Sequence, residues 1–200
     1  MDRDSVWHHI QQQRLEVADL LIEIDTRSPA SWETPSLCAG WTVRNVAAHL
    51  THSTLSMPRM MVEALRSGFR FNAIVDRLAT TDARSPEELA AALRESAGSR
   101  RHPPGTTEME PLIDVLVHAQ DICVPLGIER SMPAAAAVAA ARRVWDMGFP
   151  FRAQKRLAGT RLVATDADFA VGEGRTLSAP VGDLLMVMTG RHVAADLSPN

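Results

Sequence analysis

The chain has 200 residues, 46% of them apolar and 22% charged, with a formal net charge of −3 from 21 basic and 24 acidic side chains. This is ordinary globular composition, long enough to bury roughly 70% of its unfolded surface without a disulfide or a metal, and it excludes disorder and collagen-like structure. Scattered arginines and a pI near 6.2 argue against a nucleic-acid partner, and the lack of any 18-residue apolar run argues against a membrane-spanning helix.

In chain order, Asp4 to about Asp25 reads as a long amphipathic helix, with Trp7, Ile10, Leu15, Leu21 and Ile22 near helical spacing. Ser28-Pro29 stops it, and the loop SWETPSLCAGW follows. Thr42 is an N-cap candidate for a second helix that Pro58 kinks or divides and Gly68 ends. FRFNAIVDRLAT reads as a further short helix. Ser85-Pro86-Glu87-Glu88 is a strong start signal, an N-cap followed by proline and acids in the first turn, for a helix to about Gly98. Glu108 to Val124 reads as a helix ended by Pro125 and Gly127, and Pro133 opens an alanine-rich helix ended by Gly148. After about Gly159 the pattern alternates around glycine turns, a strand or hairpin signal, and VGDLLMVMTGR closes as a short helix. The expected organisation is a helical metal-binding domain over 1–150 and a small α/β extension over 151–200.

The informative helix is PLIDVLVHAQDICV, residues 111–124. At about 100° per residue, Asp114, His118 and Asp121 share one narrow stripe, and the rest of the helix is apolar almost all round. Buried acids need partners, yet no Lys or Arg occurs between Gly105 and Ile128. A metal ion or an arginine from elsewhere must compensate. Asp-x-x-x-His on one helical face suits a divalent cation such as zinc, although an isolated pair is more often structural: Asp121 capping a helix, His118 donating to a carbonyl. His49, among Val46, Ala47 and Leu50 on the second helix, supplies the third ligand. His49, Asp114 and His118 plus one open position make the pattern of a catalytic rather than a structural zinc, with nickel the alternative. His52 lies three residues on, within reach of the same side of the helix.

Two segments, TPSLCAGWTVRNVAAHL at 34–50 and DVLVHAQDICVPLG at 114–127, resemble the signature of the mycothiol-dependent maleylpyruvate isomerase family. That family belongs to the DinB/YfiT-like superfamily of metal-binding four-helix bundles. The resemblance implies a mainly α protein, a DinB-like four-helix bundle with a small α/β C-terminal extension. It implies a metal held by a histidine of the second helix and a Glu-x-x-x-His pair, which map onto His49, Asp114 and His118. Aspartate stands where the family has glutamate. Being one methylene shorter, it leaves coordination direct with a helix shift, through water, or lost. His52 falls outside the family pattern and is a candidate substitute for Asp114. Asp121 matches an acid that orients an imidazole or an arginine. Arg191 is the nearest counterpart of an assisting C-terminal arginine, its plain alternative being a cation at a helix C-terminus. The implied chemistry is a metal-dependent isomerase or S-transferase. Its co-substrate is mycothiol, the low-molecular-weight thiol of actinobacteria, whose metal-bound thiolate attacks an electrophilic small molecule. An actinobacterial source agrees with a composition in which 20 of the 21 basic residues are arginine and tyrosine is absent.

Other candidates read as structural. Cys38 and Cys123 are too few for a disulfide framework and read as small buried side chains. Met57, Met60 and Met61 read as core or a pocket wall. Gly172-Glu173-Gly174 reads as a turn and not a phosphate loop. His8, His9, His102 and His192 read as solvated. The polar, acidic start MDRDSVWHHIQQQ is unlike a signal peptide, so a cytoplasmic location is expected. The alanine-rich helix at 133–148 offers a face for a homodimer. Two rival readings stand beside the enzyme: a non-catalytic metal- or small-ligand-binding protein, and a metal-free relic with Arg44, Arg59 or Arg191 pairing the buried acids.

Overall fold

Thr42 lies in extended backbone and donates its N–H to Oδ1 of the Asn45 side chain at 3.0 Å, which starts α2, Val43–Thr51, where the sequence places it. The computed structural model describes residues 1–52, 71–102 and 105–191. The expected continuation of α2 beyond residue 52, with Met57, Pro58, Arg59, Met60, Met61 and Gly68, lies outside the described residues, as does His192.

The described residues are mainly helical, with a small three-stranded sheet near the C-terminus. The chain divides into two units, Trp7–Ile128 and a second that joins Met1–Val6 to the segment from Glu129 onward. The first unit holds most of α1 (Arg3–Arg27), a 3₁₀ turn at Pro29–Glu33, α2, α3 (Phe71–Thr80), α4 (Pro86–Ser96) and α5 (Met109–Cys123). One core is shared by four of these helices. Val17, Ala18, Leu21 and Ile24 of α1 meet Val43, Val46, Ala47 and Leu50 of α2, Leu89 and Leu93 of α4, and Val115, Ala119 and Ile122 of α5. This is the expected four-helix bundle. α3 packs on α2 outside that core, and Asn45 donates from α2 to the Ala79 carbonyl at 3.2 Å. The start signal at Ser85 works as read: its hydroxyl accepts the Glu88 N–H, and Glu88 accepts the Ser85 N–H at 2.7 Å.

In the second unit, α6 (Ala134–Asp146) packs on α8 (Val181–Met188). The alanine face of α6, Ala136, Ala137, Ala140 and Ala141, is fully buried there. α7 (Ala153–Arg156) leads into β1 (Thr160–Ala164), which pairs antiparallel with β2 (Ala170–Val171) and parallel with β3 (Arg175–Ala179), in the order β2-β1-β3. Gly172 is required by close approach, since at φ +80° a Cβ would collide with the Thr160 carbonyl. Among the described residues no helix is long and apolar enough to cross a membrane.

Candidate metal centre

Every residue from Pro111 to Cys123 is buried except Asp114 and His118, which are half-buried. Of the stripe predicted from helical spacing, Asp114 and His118 therefore keep some exposure to solvent and Asp121 does not. α2 brings His49 to this stripe. Nε2 of His49 lies 3.1 Å from Oδ1 of Asp114, and Nε2 of His118 lies 3.4 Å from the same oxygen. These three side chains each offer one donor atom within 4.8 Å of the others. Two imidazole nitrogens and one carboxylate oxygen are a donor set that suits zinc or nickel, and the residues fit a divalent cation. The shorter side chain of Asp114 still reaches both histidines.

Asp121 lies behind this group, fully buried on the far side of His118. Its Oδ2 is 2.8 Å from Nδ1 of His118, so the ring is held from behind with Nε2 facing Asp114 and His49. The sequence missed the next neighbour. Sγ of Cys38 donates to the same Oδ2 at 3.1 Å and lies 3.6 Å from Nδ1 of His118. Cys38, His118 and Asp121 form a second group able to hold an ion. The expectation that Cys38 is a small buried side chain is corrected by these contacts: it is half-buried and faces the site. Cys123 is fully buried.

The loop that places Cys38 is closed on itself. Ser36 donates its N–H to the Trp41 carbonyl at 2.9 Å, Cys38 donates its N–H to the Ser36 hydroxyl at 3.1 Å, and Trp41 returns its N–H to the Cys38 carbonyl at 3.0 Å. Gly40, at φ +82°, lets the chain turn. Leu37 then donates to the Asp121 carbonyl at 3.3 Å, which fastens the loop to α5. At its end the Trp41 ring lies 5.3 Å from the His49 ring and 6.4 Å from the His118 ring. Its Nε1 donates to Asp76 of α3 at 2.9 Å, so the indole is an anchored wall beside both histidines.

The electrostatics follow from this crowding. Burial raises the Asp114 carboxyl, but the His49 charge and hydrogen bonds from His118 and His49 outweigh it and hold it well below the usual carboxylate range. Burial likewise lowers the His118 imidazolium, and Asp114, Asp121 and Cys38 outweigh that and hold it well above its ordinary value. Of the arginines considered as partners for the buried acids, Arg44 is engaged elsewhere, with Glu33 at 3.4 Å and the Arg84 carbonyl at 3.1 Å. Arg14 of α1, 2% exposed, feels the Asp114 charge and donates to the Ser96 and Ser99 carbonyls at 3.1 and 3.0 Å. An arginine at helical spacing between Ile10 and Leu21 was the available signal.

His52 is not a third imidazole of the centre. As the C-cap of α2 it turns to Asp82, its Nε2 3.0 Å from Oδ2, and Asp82 is also paired with Arg84. Arg191, in the second unit, follows α8 and donates to the Thr189 carbonyl at 3.1 Å.

Residues 11–107 match the family model described as the mycothiol maleylpyruvate isomerase N-terminal domain. Over these residues the chain is similar to the N-terminal domain of the mycothiol maleylpyruvate isomerase family. The matched segment contains Cys38, Trp41 and His49 and stops short of Asp114, His118 and Asp121. No curated protein and no solved structure matches the chain significantly.

Proposed function

We propose that the chain binds one divalent cation, zinc before nickel, through His49, Asp114 and His118, and works with a low-molecular-weight thiol of the mycothiol type as an isomerase or S-transferase. The observation that carries this reading is the convergence of the three donor atoms within 4.8 Å, in a chain whose residues 11–107 match the mycothiol maleylpyruvate isomerase N-terminal domain. A divalent cation there supplies Lewis acidity, lowering the pKa of a thiol that reaches its open side.

The chain's own residues do the rest. To hold the ion, His49 and His118 would present their Nε2 lone pairs, with Asp121 keeping the His118 proton on Nδ1. Trp41 closes one side of the space with an apolar ring. In isomerisation the thiolate adds to an unsaturated carbon, the resulting single bond rotates, and the thiolate leaves unchanged. In S-transfer the carbon–sulfur bond is kept and the electrophile's leaving group departs. Arg191 is proposed to assist on the strength of the family resemblance.

The test is turnover of an electrophile panel, including maleylpyruvate, by metal-loaded protein with mycothiol. The reading expects thiol-dependent turnover that is lost on chelation and in His118→Ala. The absence of both thiol binding and turnover would overturn it. Thermal stabilisation by the thiol without turnover would assign a binding role instead.

A further inference from the structure

We propose that Cys38 is a positioning residue for this metal site, its S–H fixing the Asp121 carboxylate and, through it, the ring of His118. The inference rests on the reading above that His118 is a ligand. Two donors converge on one oxygen: Nδ1–H of His118 at 2.8 Å and S–H of Cys38 at 3.1 Å both reach Oδ2 of Asp121. Asp121 has no exposed surface, so its carboxylate depends on donors from the protein.

The sulfur is held where it must be for this. Its own backbone is tied to Ser36 and Trp41, and the neighbouring Leu37 N–H is tied to the Asp121 carbonyl. The loop therefore grips Asp121 at two points, main chain and side chain. A carboxylate held by Cys38 cannot swing away from Nδ1, and the ring it orients keeps Nε2 on Asp114 and His49.

The same atoms allow Cys38 to be a ligand itself, because Sγ, Nδ1 and Oδ2 also form a compact donor group. A neutral imidazole has one lone pair, so the ring serves an ion through Nε2 or through Nδ1, not both. An ion on the Nδ1 side would take the proton that joins His118 to Asp121 and would place a thiolate against a buried carboxylate. An ion on the Nε2 side keeps both hydrogen bonds to Oδ2 of Asp121, from His118 and from Cys38. With its hydrogen committed to Asp121, Cys38 is also not the reacting thiol, which must come from outside the chain.

The test is cobalt(II) titration of the full-length chain and of Cys38→Ser and Cys38→Ala. Affinity is read by chelator competition and ligand type by the absorption spectrum. Cys38→Ser keeps a donor and should bind within about threefold of the wild type, whereas Cys38→Ala should bind about tenfold more weakly. Neither wild type nor Cys38→Ser should show a thiolate-to-cobalt charge-transfer band. If Cys38→Ala does not fold, Cys38→Val fills the volume without a donor and should show the same weakening. Unchanged affinity in Cys38→Ala overturns the proposal, and so does a charge-transfer band that Cys38→Ser removes. Either result leaves the metal reading standing. A wild type that takes up no cobalt overturns both.

Discussion

Asp121 reaches Nδ1 of His118 at 2.8 Å from a position with no solvent exposure, three residues further along the same helix. A carboxylate–imidazole pair of this kind fixes both the tautomer and the orientation of a histidine whose other nitrogen faces a ligand space. Replacing Asp121 by Asn keeps the volume and removes the charge. The expected outcome is a metal affinity at least about tenfold weaker, with His49 and Asp114 still in place. Chelator competition on the purified variant measures it, and an unchanged dissociation constant would remove Asp121 from the site.

Trp41 lies 5.3 Å from His49 and 6.4 Å from His118, and it is anchored to Asp76. A nickel(II) ion held by those histidines should quench its emission. Titrating the wild type should therefore lower tryptophan fluorescence, and Trp41→Phe should abolish the response while Trp7, Trp32 and Trp145 remain. Equal quenching in both proteins would place the ion elsewhere.

His52 makes a separate prediction, because its burial pushes the imidazolium down from 6.5 to about 4 despite the Asp82 carboxylate beside it. Among the described residues its buried Nδ1 has no hydrogen-bond partner, so protonation there gains no acceptor among them. The unfolded chain takes up this proton more readily than the folded one. Stability from His52 is full above about pH 6.5 and is lost as the pH falls toward about 4, by about 3 kcal/mol. Asp82 is held well below the usual carboxylate range, so its contribution is full above about pH 4 and is lost only below that. His118, raised rather than lowered, loses its contribution on the alkaline side of 6.5. Urea unfolding from pH 4 to 7 should show a slope that His52→Gln flattens. An identical slope in the variant would contradict this account.

The bundle core and the site should separate on mutation. Leu93 of α4 is fully buried in the shared core and lies outside the metal group. Leu93→Ala should cost about 2–5 kcal/mol in unfolding free energy while leaving metal stoichiometry unchanged. Loss of metal at a temperature where the variant is folded would show that the site depends on core packing.

Where one helix carries its own pattern, the sequence was sufficient. Asp114, His118 and Asp121 share a stripe because 3.6 residues per turn puts them there, and the capping residues Thr42 and Ser85 act locally. What the sequence hid depends on tertiary return. Cys38 meets Asp121 only because the 36–41 turn closes and docks on α5, over a separation of 83 residues. Trp41 becomes a wall only when α3 supplies Asp76, and His52 leaves the site because Asp82 stands beyond it. Arg14 looks like any helix-surface arginine until α1 is packed with that face inward. The alanine face read as a dimer surface is buried within its own unit, where α6 packs on α8.

The most direct measurement is metal content by inductively coupled plasma mass spectrometry on untagged wild type, His49→Ala and His118→Ala. The account predicts close to one equivalent of zinc or nickel in the wild type and its loss in both variants. No metal in the wild type after supplementation with divalent ions, or metal retained in both variants, would contradict it.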